Sequence, residues 1–273
     1  MKKIFLASLL AVTLIMVILS IPITPVLAWE KPKILFDESH EQTEYEPVSI
    51  DGYFLDLASI LRSRYGFTVN KVTTGPITES LLSQYTVFVL PTPVYPLSPS
   101  EIDAIESYVE NGGSLLLLYE WGDLWGADTN LEPLGSIFGI HSNMDAVMHP
   151  THNTGDVYSI LVSRMTLLGK LVTMREGRKI VLYAASSFTI EPPAHSLALS
   201  DFDGEPANAP LVVEATYGKG KVIAVGDFNW MDNTDWDENG VISLDEYGNL
   251  DYALMIFSIL TYRIGMIPPL IFT

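Results

Sequence analysis

Short apolar runs alternate with helical patterns in the first half of the chain, and this alternation restricts the fold more than any other feature. Continuous apolar runs occupy residues 33–36, 85–90 and 114–119, and residues 67–72 alternate as a half-buried strand does. Apolar residues recur at helical spacing over 51–65, and Ser98–Glu101 has the sequence of a capping box that starts a second helix. Buried strands joined by helices are typical of a parallel sheet covered on both faces. This pattern therefore predicts that residues 30–126 form one half of a doubly wound α/β domain.

The second half is less regular. Three candidate strands lie in the segment 127–205: Ala146–His149, Val157–Val162 and Ile180–Ala184. Two further runs, Pro210–Thr216 and Lys221–Val225, flank a glycine-containing turn and predict a β-hairpin. A final helix is predicted over Asn249–Arg263. No linker or repeat interrupts the sequence, so residues 29–273 are expected to form a single α/β domain.

The N-terminus has the pattern of an export signal. Lys2 and Lys3 precede an apolar stretch, and Val26-Leu27-Ala28 is a small-residue cleavage site. We expect residues 1–28 to be a signal peptide, cleaved after Ala28, and the mature protein to be secreted or extracytoplasmic. The alternative is an uncleaved N-terminal membrane anchor, since about 20 apolar residues are enough to span a bilayer. No later run is long enough to do so.

Composition excludes several functions. The chain of 273 residues has a formal charge of −18, which opposes binding to nucleic acid or anionic lipid. It contains no cysteine, which excludes disulfides, cysteine-ligated zinc and a thiol nucleophile.

Several stretches resemble the class I glutamine amidotransferase-like superfamily. They are Ile34–His40, Ile105–Leu118, Gly218–Val222 leading to Gly226-Asp227, and the helix beginning at Asn249. They are most similar to its non-catalytic branch, which includes gliding-motility ABC-transporter auxiliary proteins and the N-terminal domain of an intraflagellar transport subunit.

This resemblance implies a flavodoxin-like, mostly parallel sheet, with an added β-hairpin and a C-terminal helix. The catalytic members need a cysteine on the turn after the strand that 114–119 would form. Here that turn reads Glu120-Trp121-Gly122, and without cysteine amidotransferase activity is excluded.

Residues 235–246 fit the twelve-residue EF-hand calcium loop. The predicted ligands to Ca²⁺ are Asp235, Asp237, Asn239, Val241 (through its carbonyl), Ser243 and Glu246. Gly240 stands where the loop turns sharply, but no helix is predicted before the loop. The segment from Val222 to Tyr262 contains eight acidic residues and no Lys or Arg, so a bound cation would relieve their repulsion. The alternative is a solvated acidic turn. We expect a structural calcium ion.

A second candidate site lies at the carboxyl ends of the predicted strands, where open α/β sheets bind ligands. The candidate catalytic residues there are Asp37, His40, Glu120 and Asp227, accompanied by Glu38 and Asp123. They would suit a metal or acid–base hydrolysis, but acids at strand ends more often cap helices and bind loops.

Two weaker patterns remain. His149 and His152 have metal-ligand spacing but no third ligand nearby in sequence. Tyr119, Trp121 and Trp125 would form an aromatic platform for a sugar or peptide, or else belong to the core.

We therefore expect a secreted, calcium-stabilised, non-catalytic binding module. Its ligand would be a protein or a glycan, and the resemblance suggests a place in an envelope or transport assembly. The alternative is an extracellular hydrolase that uses the strand-end carboxylates. The sequence has no G-x-S-x-G or H-E-x-x-H motif, which argues against this alternative.

Overall fold

An eight-stranded sheet forms the centre of the protein in the computed structural model, which describes residues 31–166 and 179–261. The strands along the chain are β1 (Lys33–Asp37), β2 (Thr68–Val72), β3 (Val87–Pro91), β4 (Ser114–Leu118), β5 (Ile140–Ser142), β6 (Ser159–Val162), β7 (Arg164–Met165), β8 (Ile180–Tyr183), β9 (Phe188–Ile190), β10 (His195–Leu199), β11 (Pro210–Tyr217) and β12 (Gly220–Val225). The central sheet has the order β2-β1-β3-β4-β12-β11-β10-β7.

Five neighbouring strands, β2 to β12 in that order, are parallel, and the hairpin partner β11 begins an antiparallel extension. The parallel part has the strand order of a flavodoxin-like sheet. The predicted α/β class, the mostly parallel sheet and the hairpin are confirmed.

Five helices flank the sheet in the described ranges: α1 (Leu55–Ser63), α2 (Glu79–Leu82), α3 (Pro99–Glu110), α4 (Ala127–Gly135) and α5 (Asn249–Thr261). Consecutive residues of each central strand enter opposite cores. Phe36 packs on the side of α1 and α5, while Leu35 packs on the side of α3 and α4. The predicted capping box starts α3, because the Glu101 carboxylate accepts hydrogen bonds from the Ser98 backbone N–H (2.9 Å) and hydroxyl (2.7 Å).

The segment 127–205 differs most from prediction. Two of the three candidate strands form, as β6 and β8, which pair with each other antiparallel. The predicted strand Ala146–His149 is wrong: only Met148 makes a single bridge, to Glu205. Helix α4 and the strands β5, β7, β9 and β10 had no sequence prediction. Strands β5, β7 and β9 have only two or three residues, too few to show a period.

The described residues from Pro32 onward belong to one compact unit. Across the described ranges, no helix has both the length and the hydropathy needed to cross a bilayer. The predicted signal segment 1–28 and the end of the predicted last helix, residues 262–263, lie outside the described residues.

Candidate functional site

Two buried carboxyl groups follow the adjacent parallel strands β4 and β12. Glu120 and Asp227 are 1 % and 0 % exposed. Asp227 accepts hydrogen bonds from the backbone N–H groups of Tyr183 (2.7 Å) and Asn229 (2.6 Å). With its amide nitrogen turned to the acids, Asn229 donates to Glu120 Oε2 at 3.1 Å and to Asp227 Oδ1 at 3.2 Å. The predicted convergence of Glu120 and Asp227 is therefore found.

Burial controls the ionisation of this pair. It raises the pKa of Glu120 well above its ordinary value, and the nearby charge of Asp227 adds to the effect. Burial also raises the pKa of Asp227, assisted by the charge of Asp232 and opposed by the backbone N–H donors. Two neighbouring buried carboxyl groups resist being ionised at the same time. The pair is therefore stabilised either by a retained proton or by a cation bound beside it.

Asp37 and His40 form a separate cluster at the end of β1, because β3 lies between β1 and β4. His40 Nδ1 lies 2.7 Å from Asp37 Oδ2, and its Nε2 lies 3.5 Å from Glu101 of α3. Burial lowers the pKa of His40, but the hydrogen bond and charge of Asp37 and the charge of Glu101 outweigh it, and the net pKa is raised. Ser39 and Gln42 donate to the same Asp37 carboxylate.

The four candidate catalytic residues thus form two groups rather than one site. Two of the surrounding acids, Glu38 and Asp123, have structural partners. Glu38 accepts from the Ile50 N–H and pairs with Lys71 at 2.8 Å. Asp123 accepts from the backbone and hydroxyl of Thr129 near the start of α4. These contacts support the interpretation that Glu38 binds a loop and that Asp123 caps a helix.

A cavity of about 320 Å³ opens beside Glu120. Its aromatic lining consists of Trp121, Trp125, Tyr158, Tyr183, Phe228 and Trp236. Of the predicted platform, Trp121 and Trp125 line this cavity. Tyr119 does not: it is fully buried and packs edge-on against Phe188 at 5.0 Å.

A larger cavity, about 580 Å³, lies where the strands begin, beside Ser114 and Lys221. Ligands of open α/β sheets bind at the opposite edge, outside the carboxyl ends of the strands. The cavity beside Glu120 is therefore the better candidate for a functional site.

The predicted calcium loop borders the same cavity through Trp236. Both oxygens of Asp235 accept backbone N–H groups, from Asn239 (3.0 Å) and Gly240 (2.7 Å). Gly240 has φ +89°, a conformation that favours glycine. The Asn239 amide contacts both Asp237 and Glu246, whereas Asp237 Oδ1 is buried without a hydrogen-bond partner.

The loop also departs from an EF-hand. Short 3₁₀ turns, Asn229–Met231 and Ser243–Asp245, stand where flanking helices would begin or end, and α5 starts only at Asn249. The Ser243 hydroxyl donates to the Thr234 carbonyl at 2.8 Å. Glu246 is 4 % exposed and accepts from the Tyr183 hydroxyl at 2.8 Å. Calcium at this loop remains a prediction.

The histidine pair acquires a partner that sequence reasoning missed. In the described ranges, the only three His, Asp or Glu side chains close enough to hold one metal ion are His149, His152 and Asp201. Asp201 could not be found from spacing, because it follows β10, far from the histidines in sequence.

The hydrogen bonds, however, favour protons over a metal in this cluster. His149 Nδ1 accepts the His152 N–H at 2.8 Å, so a neutral ring carries its proton on Nε2, which faces the acids. Lys179 Nζ lies 3.0 Å from His152 Nε2, which leaves the His152 proton on Nδ1, 2.6 Å from Asp201. The ring nitrogens that would bind a metal thus donate to Asp201 and Asp203. The cluster ties two loops together.

Comparisons with known proteins agree with this architecture. Residues 33–154, a little under half of the chain, match the family model of the IFT52 GIFT domain. The mmIFT52 N-terminal domain superposes with a TM-score of 0.70 at 20 % identity, covering 86 % of this chain and 100 % of that one. The match agrees with the predicted resemblance to an intraflagellar transport N-terminal domain.

Two solved bacterial proteins have a more distant likeness. Cytoplasmic protein STM3548 from Salmonella typhimurium has a TM-score of 0.55 at 15 % identity, covering 83 % of this chain and 98 % of that one. Cytoplasmic protein STM1381 from Salmonella typhimurium LT2 has a TM-score of 0.54 at 17 % identity, covering 84 % of this chain and 98 % of that one. At these identities the likeness establishes the fold alone. No curated protein matches the sequence.

Proposed function

We propose that this protein is a non-catalytic α/β module that binds a protein partner outside the cytoplasm and is stabilised by calcium. The match of residues 33–154 to the IFT52 GIFT domain carries the proposal, because the resemblance to an intraflagellar transport subunit suggests partners in a protein complex. A place in an envelope or transport assembly follows as part of it. A glycan is the second ligand class.

The strand-end residues support a non-catalytic role. Asp37 and His40 lie apart from Glu120 and Asp227, and neither Asp37, His40 nor Asp227 lines the cavity. Acid–base catalysis needs the general acid and the general base within reach of the same substrate. Of the four predicted catalytic residues, only Glu120 lines the cavity and would be left to the hydrolase alternative.

The calcium component is supported by the loop itself. Asp235 already folds the turn through two N–H contacts, and Asp237 offers an oxygen without a hydrogen-bond partner. Tyr183 holds Glu246 by its hydroxyl, as outer partners hold metal-binding carboxylates. Export of the chain, with cleavage after Ala28 or retention as an N-terminal anchor, completes the proposal.

The test is recovery of a defined partner from native envelopes. The tagged full chain is cross-linked in its own cells, and the proposal expects the same protein in repeated preparations and in the reciprocal experiment. In parallel, ester, peptide and glycan substrates are screened with and without divalent metals. Turnover that disappears in Glu120→Gln or Asp37→Asn, with the fold intact, would overturn the non-catalytic assignment.

A further inference from the structure

The cavity beside Glu120 combines exposed aromatic rings with acidic groups. Trp121 is 43 % exposed, Tyr158 41 % and Trp236 37 %, although side chains of this size are usually better covered. Glu46, Glu120 and Asp156 also line the cavity, and no Lys, Arg or His does so among its described lining residues. Apolar surface and negative charge therefore coincide at one opening.

The backbone holds the aromatic wall in uncommon conformations. Trp125 has φ +59° and Ala184 has φ +49°, in the left-handed region that non-glycine residues seldom adopt. Trp125 stacks on the exposed ring of Tyr45 at a centroid separation of 5.7 Å. Trp236 meets Tyr53 edge-on at 6.0 Å, and its indole N–H donates to Asp232 at 2.8 Å. The rings of Trp125 and Trp236 are thus held by contacts within the protein.

Charge and size together restrict the occupant. At about 320 Å³ the cavity is near the lower end of ligand pockets, which span roughly 300–1,000 Å³. It suits one side chain rather than a docked helix or strand. A planar guanidinium stacks on aromatic faces and hydrogen-bonds carboxylates, whereas a neutral sugar would leave the acidic groups uncompensated.

We propose that this cavity receives an arginine side chain of the partner protein, stacked between Trp121 and Trp236 and paired with Glu46 and Asp156. Glu120 lies behind this position, with Asp227 beside it, and a bound guanidinium would favour the ionised form of Glu120. This inference rests on the proposed function, because it names the group through which the partner is recognised.

The test uses small probes on the full chain. Nα-acetyl-arginine amide is titrated against the protein by tryptophan fluorescence and calorimetry, beside its neutral isostere Nα-acetyl-citrulline amide and a methyl glycoside. We expect saturable binding of the arginine probe and at least about tenfold weaker binding of the citrulline probe, whose uncharged urea replaces one NH2 group of the guanidinium by a carbonyl oxygen. Equal binding of the two, no saturable arginine binding, or preferential glycoside binding would each overturn the inference.

Matched variants locate the site. Trp121→Ala and Asp156→Asn should each weaken arginine binding about two- to fivefold, as expected for a cation–π contact or an exposed ion pair. Tyr65→Ala, at the same 43 % exposure, and Asp103→Asn, on the exposed face of α3, should leave it unchanged. Both test positions are exposed, so the fold should survive, which circular dichroism checks. Equal effects of the test and control variants would contradict the assignment.

The outcome is separable from that of the proposed function. If the partner still co-purifies with Trp121→Ala and Asp156→Asn at wild-type yield, the arginine site is wrong while the binding role stands. If arginine binds as expected and Glu120-dependent turnover is found, the site stands while the non-catalytic role is wrong.

Discussion

At the scale of single residues, buried acids dominate the electrostatics of this molecule. Asp128 of α4 is fully buried, and burial raises its pKa to about 6 although the Ser142 hydroxyl and the Glu120 N–H hydrogen-bond to it. Its ordinary value is 3.8. The folded state therefore binds this proton more tightly than the unfolded state, and stability is lost as the pH rises through that interval.

We predict that Asp128→Asn reduces the pH dependence of stability. The Asn oxygen can still accept from the Glu120 N–H, and its uncharged amide nitrogen would donate to the Ser142 hydroxyl, which then accepts. The wild type should lose up to about 3 kcal/mol of unfolding free energy from this carboxyl between roughly pH 4 and pH 7, and the variant should not. Urea denaturation of both proteins at the two pH values measures the difference. Parallel pH profiles would contradict the prediction.

Gly226, between β12 and Asp227, permits a close approach of two backbones. The Ser186 N–H donates to its carbonyl at 2.7 Å, and a Cβ at this position would lie 1.8 Å from the Ser186 carbonyl oxygen. No side chain can occupy that space unless β12 or the chain at Ser186 moves. The contact lies next to Asp227, whose carboxylate accepts a hydrogen bond from the Tyr183 N–H of β8.

Gly226→Ala should therefore destabilise the protein by about 1–3 kcal/mol or more, the cost of overpacking a close contact. Gly204→Ala is the matched control, because its added Cβ would meet its nearest atom at an ordinary 3.4 Å. Thermal unfolding of the two variants distinguishes them. A Gly226→Ala protein as stable as Gly204→Ala would show that this approach is not constrained.

At the scale of elements, the loop 235–246 connects the end of the sheet to α5. Its acids repel each other in the absence of a cation, and it carries Trp236 to the cavity wall. A ligand that binds only the folded state stabilises it by mass action. For an extracellular calcium site with a Kd of about 10⁻⁴–10⁻³ M, millimolar calcium would add about 0.4–1.4 kcal/mol.

We expect the melting temperature to rise with calcium and fall with chelator, with magnesium a poor substitute. Glu246→Gln should weaken calcium binding by removing a bidentate ligand, and Asp232→Asn, outside the loop, should weaken it less. Calorimetry gives the affinities. A wild type that takes up no calcium and melts at the same temperature in chelator would eliminate the site.

At the scale of the whole molecule, the chain has a net charge of −18 and an N-terminal segment that predicts export. A chain without cysteine needs no reducing compartment, which is compatible with the predicted export. We predict that the mature protein begins at Trp29. N-terminal sequencing of material from the cell exterior or envelope measures this, and a chain that retains Met1 would favour the anchor alternative instead.

The sequence alone determined the parts of this protein that depend on local patterns. The apolar runs at 33–36 and 114–119 became β1 and β4, and Ser98–Glu101 caps α3, because periodicity and capping act over a few residues. The convergence of Glu120 with Asp227 was also predictable, since the carboxyl ends of parallel strands share one edge of the sheet.

Tertiary structure decided what depends on residues distant in sequence. The strand order placed β3 between Asp37 and Glu120, which divided the predicted site in two. Asp201 reached His149 and His152 only because β10 and the loop before β6 meet in space. The aromatic and acidic lining of the cavity comes from segments scattered between Glu46 and Trp236. No local sequence pattern encodes these long-range contacts, because they arise from how the helices and loops pack around the completed sheet.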